Sequence, residues 1–184
     1  RSRSCPGVKM NRLKLLLLAG VLLIVGCADS HSLNVSKSDN NVQLNPDSTV
    51  YIALSQDGRY GNHNYSGSGI MVSQIIKGEL VTLLNNVIIA NGFEDYNSAL
   101  NFAAVRKFDY LVYPTILHWE DRATEWSAKA DKVKIKIVVV DVKSGAVIKS
   151  GIIEGKSGLA TFGGDKPQDL LPEPIKEFLS SMLR

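Results

Sequence analysis

Residues 132–142 read KVKIKIVVVDV. Val133, Ile135 and Ile137 alternate with Lys132, Lys134 and Lys136. Successive side chains of a strand point to opposite sides, so this pattern gives one buried face and one wet face. That arrangement belongs to an antiparallel sheet covered on one side, with the lysine row solvated. Lys143-Ser144-Gly145 is a turn, and residues 146–155 return as the hairpin partner.

Working outward, residues 109–118, DYLVYPTILH, form a strand in which Pro114 predicts a bulge or an edge position. Residues 49–55, TVYIALS, are a short β-branched run and form another strand. Residues 87–90 form a fifth. Val72, Ile75, Ile76, Leu80 and Leu83 recur at helical spacing across 70–84, with Ser66 or Ser68 as the starting cap. Gly78 inside that helix costs up to about 1 kcal/mol, which close packing against a strand would explain. Leu100, Ala103, Ala104 and Phe108 mark a small helix over 98–107. Leu171, Ile175, Phe178, Leu179 and Met182 share one stripe of a last helix, with Pro172 and Pro174 at its start. The order β-α-β-α-β-β-β-α predicts a single α/β domain over 49–184. It has a mixed sheet of about five strands with helices packed on it.

The amino-terminal region has a different character. Eleven uncharged residues run from Leu15 to Val25. A membrane-spanning helix needs about twenty, whereas the apolar core of an export signal needs roughly seven to fifteen. Arg12 and Lys14 precede the run, and Gly26 ends it. Residues 10–26 are therefore expected to be a signal peptide, and residues 1–9 an upstream remnant outside the fold. Residues 28–48 are rich in Ser, Asn and Asp without a period, so 27–48 is expected to be a flexible tether.

Ile24-Val25-Gly26-Cys27 resembles the bacterial lipobox. The resemblance implies cleavage between Gly26 and Cys27 and acylation of Cys27, and two acyl chains hold a protein stably on a bilayer. In such signals an aspartate directly after the cysteine favours the inner membrane. Here Asp29 stands one place later, which implies the periplasmic face of the outer membrane.

Charge excludes one class of partner. Residues 1–26 hold five of the 21 Lys and Arg and none of the 18 acids, so the remainder carries 16 cations against 18 acids. The basic excess belongs to the export signal, and nucleic-acid binding loses its electrostatic basis. After residue 26 the only cysteine is Cys27. Neither a disulfide nor a cysteine metal site can form there.

Catalytic patterns are missing. Tyr65-Ser66-Gly67-Ser68-Gly69 opens a helix where phosphate loops sit. It lacks the Gly-Lys-[Ser/Thr] ending, and Val72 occupies the place of the third fingerprint glycine. His31, His63 and His118 are the three histidines. No two lie at metal-binding spacing, so no metal or cofactor is expected. No serine sits in a G-x-S-x-G elbow. In residues 118–129, HWEDRATEWSAK, the acids Glu120, Asp121 and Glu125 flank Trp119 and Trp126. Carboxylates beside indoles suit glycan binding or glycoside chemistry. Exposed tryptophans also suit a protein interface.

Residues 159–171, LATFGGDKPQDLL, followed by a terminal helix, resemble a family of proteobacterial lipoproteins, the domain of unknown function numbered 4823. Residues 109–113, DYLVY, and 51–53, YIA, match the same pattern. The resemblance covers about 50–184. It brings no activity, cofactor or catalytic residue. The element order is also similar to small periplasmic domains such as the amino-terminal domain of TolB and those of curli-secretion and flagellar lipoproteins, which bind proteins. That likeness implies a non-enzymatic, lipid-anchored binding or assembly module with an envelope protein as partner. The expected contact residues are Tyr60 and Tyr65 in loop 56–69, Trp119, Trp126, and Asp165 with Lys166. The alternative is a binder, or weak hydrolase, of envelope glycan or another small ligand.

Overall fold

The computed structural model describes residues 29–39, 42–122, 130–158 and 166–183. In chain order these form β1 (Ser30–Ser38), β2 (Thr49–Leu54), β3 (Gly58–Tyr60), β4 (His63–Tyr65) and α1 (Ser68–Leu80). Then come β5 (Asn86–Phe93), α2 (Tyr96–Val105), β6 (Tyr110–Glu120), β7 (Lys132–Asp141) and β8 (Ala146–Lys156). A 3-10 turn (Pro167–Leu170) and α3 (Pro172–Ser180) end the fold. The fold is a single α/β domain. Its main sheet has six strands in the order β1-β8-β7-β6-β2-β5, and β3 pairs with β4 in a separate ribbon.

β2 lies between β5 and β6 and runs parallel to both. The chain crosses from β2 to β5 through α1, then back past β2 to β6 through α2. Right-handed crossovers in opposite directions place their helices on opposite faces of a sheet, and two separate cores result. On the first face α1 and α3 cover Ile52, Val112, Ile135 and Ile137 with Val72, Ile76, Ile175 and Phe178. On the second face α2 brings Ala99 and Ala103 onto Tyr51, Ala53, Leu111 and Val140. β2 is covered on both faces, so Val50, Tyr51, Ile52 and Ala53 are all buried. α2 reaches only one end of the sheet, and the wet side of β7 stays open.

Several expectations are corrected. Residues 30–38, expected in the tether, form the edge strand β1, paired antiparallel with β8 from Ser30↔Lys156 to Ser38↔Lys149. Only Leu33 of β1 is even partly covered. Strand formation there rests on backbone pairing and needs no apolar run. Leu44 is also buried, and its N–H donates to the Met182 carbonyl at 2.8 Å. Loop 56–69 contains the β3–β4 ribbon, turned at Gly61 with a φ of 57°. Neither Ser66 nor Ser68 caps α1. Asp57 does so, accepting from Gly67 N at 3.1 Å and Gly69 N at 2.9 Å. α2 starts at Tyr96 because Asp95 accepts from Asn97 N and Ser98 N at 2.9 and 3.0 Å. The stripe from 167 onward divides into the 3-10 turn and α3. Gly78 meets nothing within 4 Å, so close packing does not explain it. Pro114 lies beyond Val112, the last β6 residue paired with β2, and the β6 bulge falls between Ile116 and His118.

Candidate functional site

The end of β6 carries His118 and Glu120, and Arg122 follows two residues beyond the strand. A strand places alternate residues such as His118 and Glu120 on one side. Glu120 is 2% exposed. Arg122 forms an ion pair with its Oε1, and His118 Nε2 lies 3.3 Å from its Oε2. Tyr60, delivered by the β3–β4 ribbon, closes the group. Its ring meets the His118 ring edge-on at 5.2 Å, and its hydroxyl accepts from Arg122 Nη2 at 3.4 Å. Burial works against the Glu120 charge. The bonds from His118, Arg122 and Tyr60, together with the Arg122 charge, outweigh it and hold the carboxyl below its ordinary value. Asp131 supports the loop from beside it, accepting from Arg122 N at 2.5 Å. Burial, then the neighbouring acids Asp121 and Glu120, push its carboxyl above the ordinary value against the Arg122 contacts.

Trp119 has the opposite parity. It is 2% exposed and faces the first core, where Gly58 passes over it. A Cβ on Gly58 would stand 2.4 Å from the Trp119 Cβ. The indole therefore anchors the ribbon and offers no open contact face. Tyr60 is 41% exposed. Tyr65 is half-buried, and its hydroxyl donates to the Asp121 carbonyl at 3.4 Å. Lys166 is exposed before the 3-10 turn, its N–H donating to Asp169 Oδ2 at 3.0 Å. Tyr65, Trp119 and Lys166 meet around a cavity of about 170 Å³. Ligand pockets run from about 300 to 1,000 Å³, so this one is small for a sugar unit. Gly26, Cys27, Glu125, Trp126 and Asp165 lie outside the described residues.

The remaining chemistry agrees with that geometry. A glycosidase acid needs a raised carboxyl facing the substrate, whereas Glu120 is lowered and closed in by three side chains. At the amino end of α1 the Asp57 carboxylate takes the Gly67 and Gly69 N–H groups, so a negative side chain of the protein already stands where a phosphate would bind. Among the described residues no three His, Cys, Asp or Glu side chains converge as a metal site, and no helix is long and apolar enough to cross a membrane.

The family described as "Domain of unknown function (DUF4823)" matches residues 42–182. The chain belongs to that family. Among curated proteins none matches this DUF4823 chain. Among solved structures it is similar to the PelC dodecamer from Paraburkholderia phytofirmans, at 16% identity and a TM-score of 0.63, covering 84% of this chain and 99% of that one. Lipoprotein GNA1162 from Neisseria meningitidis shares 14% identity over 61% of this chain and 84% of its own, with a TM-score of 0.44. The PelC likeness establishes a shared fold.

Sequence reasoning missed two features. The His118/Glu120/Arg122 alternation was visible, but Tyr60 reaches it from another part of the chain. The second is an apolar surface at the β5 edge. Ile88 is 53% exposed and pairs in register with Tyr51, whose ring lies 4.9 Å from that of Phe102. Phe102 and Val105, 72% exposed, are one helical turn apart on α2. Three exposed apolar side chains, Ile88, Phe102 and Val105, therefore run from the edge strand onto the neighbouring helix over the buried Tyr51 ring.

Proposed function

We propose that the chain is a non-enzymatic protein-binding module of the bacterial cell envelope, anchored through lipid on Cys27. It works by contact along β5 and α2. The observation that carries this reading is the exposed trio Ile88, Phe102 and Val105, seated over buried Tyr51 beside β5, an edge strand with no further partner among the described residues. An open edge presents main-chain donors and acceptors to another chain, and an adjoining apolar patch adds side-chain burial. The fold's likeness to PelC, described as a dodecamer, supports an assembly role. The lipobox resemblance at 24–27 supports the anchor, and the position of Asp29 supports the periplasmic face of the outer membrane.

The test is crosslinking in cells from a photoreactive residue at Ile88, at Phe102 and, as control, at Lys176 on the outer side of α3. Products are identified by mass. A discrete adduct from the first two positions and none from the third is the expected result. Equal adducts from all three would remove β5 and α2 as the contact face. The adduct's mass also tells a second copy of this chain from a different envelope protein.

A further inference from the structure

The open side of β7 continues across three other strands. Register places Glu120, Lys132, Lys156 and Ser30 in one row across β6, β7, β8 and β1. The next row is His118, Lys134, Glu154 and Ser32, and Lys136 follows beside Ile152 and Asn34. Glu154 is bonded to Lys134 at 2.6 Å. Glu120 is closed in by Arg122 and His118. Lys132 and Lys156 therefore stand directly opposite each other with no free acid between them among the described residues, an arrangement that is unfavourable unless an anion arrives. The surface forms a shallow cleft of about 680 Å³. Leu117, extruded at the β6 bulge and 47% exposed, lies in its lining among the cations. Four lysines gather here although the chain after residue 26 is slightly acidic.

Chain length supplies the second observation. Cys27 precedes Ser30 by three residues, a span of at most about 11 Å. Ser30 is already paired with Lys156, and Asp29 Oδ1 accepts from Gly158 N at 2.9 Å. An acyl anchor on Cys27 would leave no long tether. It would hold the Lys132–Lys156–Ser30 end of the sheet within about one to two screening lengths of the bilayer surface.

We infer that this lysine face rests on the anionic headgroups of the membrane to which Cys27 fastens the chain. The inference builds on the anchor proposed above and adds an orientation. The four-lysine side of the sheet faces lipid, α1 and α3 face away, and the β5 edge at the far end of the sheet stays free for a protein.

The test uses the acylated protein, reconstituted in vesicles that are either zwitterionic throughout or about three-tenths phosphatidylglycerol. A fluorophore is attached at Asn34→Cys on the lysine face or at Lys176→Cys on α3, with nitroxide quencher on the lipid headgroups. In anionic vesicles the Asn34 label should be quenched far more than the Lys176 label. Each lysine near an anionic surface contributes about a fivefold bias. Combining Lys132→Gln, Lys134→Gln and Lys156→Gln should therefore weaken the preference by about two orders of magnitude, and about 0.5 M salt should erase it without any substitution. Equal quenching of the two labels, or a contrast indifferent to lysines and salt, overturns the orientation while the anchor stands. An intact mass without acyl chains on Cys27 overturns the anchor, and the orientation with it.

Discussion

Lys149 lies beneath the carboxyl end of α3. Its Nζ donates to the Phe178 carbonyl and to Ser181 Oγ, and sits 4.8 Å from the Phe178 ring centre. Burial pushes the amine below its ordinary value. The folded state therefore releases this proton before the unfolded chain does. Between the lowered value and about 10.4, the unfolded chain holds more protons, so stability rises with pH. Lys149→Met keeps the aliphatic stem and removes the buried charge, so it should lie within about 1–2 kcal/mol of the parent at neutral pH. The alkaline gain should vanish in the variant. Urea titrations of both proteins at pH 7 and about pH 10 would read it.

Two glycines of α1 should respond in opposite directions. A Cβ at Gly69 would stand 2.2 Å from the Ser55 carbonyl oxygen, a backbone atom that cannot turn aside. Gly69→Ala should cost about 1–3 kcal/mol. Gly78 meets nothing, so Gly78→Ala should gain about 0.5–1 kcal/mol through helix propensity. Thermal melts of the single and double variants would also test whether the effects add, as expected of well-separated sites.

Glu120→Gln leaves the Arg122 guanidinium without its buried counterion. The expected loss at neutral pH is about 3 kcal/mol. The folded carboxyl lies below its ordinary value, so its contribution is present above about pH 4.3 and is lost as pH falls through the folded value. Parent and variant should thus converge in acid. A gap that stayed constant between about pH 7 and pH 3 would refute the assigned pairing.

Asp57→Ala removes the carboxylate that bonds Gly67 N and Gly69 N. The expected loss is about 1 kcal/mol, the usual worth of a helix cap. Asp57→Asn should recover part of it, because one amide oxygen can still accept. A full loss in both variants would mean that the negative charge, acting on the helix end, outweighs the hydrogen bonds.

Much of the fold was legible because apolar periodicity reports burial. β7 reads correctly since one of its faces packs under α3 and the other is wet, and α1 reads correctly from its stripe. β1 did not read, since an edge strand with little covered surface looks like a polar loop. Asp57 was hidden as a cap because it acts across a ribbon rather than from the position before the helix. At the site, Trp119 was expected as a contact residue, whereas β6 extends to Glu120 and its parity turns Trp119 into the first core and His118 and Glu120 to the other side. The arrival of Tyr60 and the facing of Lys132 by Lys156 depend on register and crossing, and neither is written in local spacing.

β1 also sets the timing of assembly. Ser30 and Lys156 are 126 positions apart in the chain, so β1, the first strand among the described residues, has no partner until nearly the whole domain has emerged. Contacts so distant in sequence close slowly, because the loop entropy must be lost before the ladder forms. β2 to β7 can pair among themselves in the meantime, while β8 keeps a bare edge. Docking of β1 is the step that ends this vulnerable interval, and a chain halted before it would carry a ready template for aggregation.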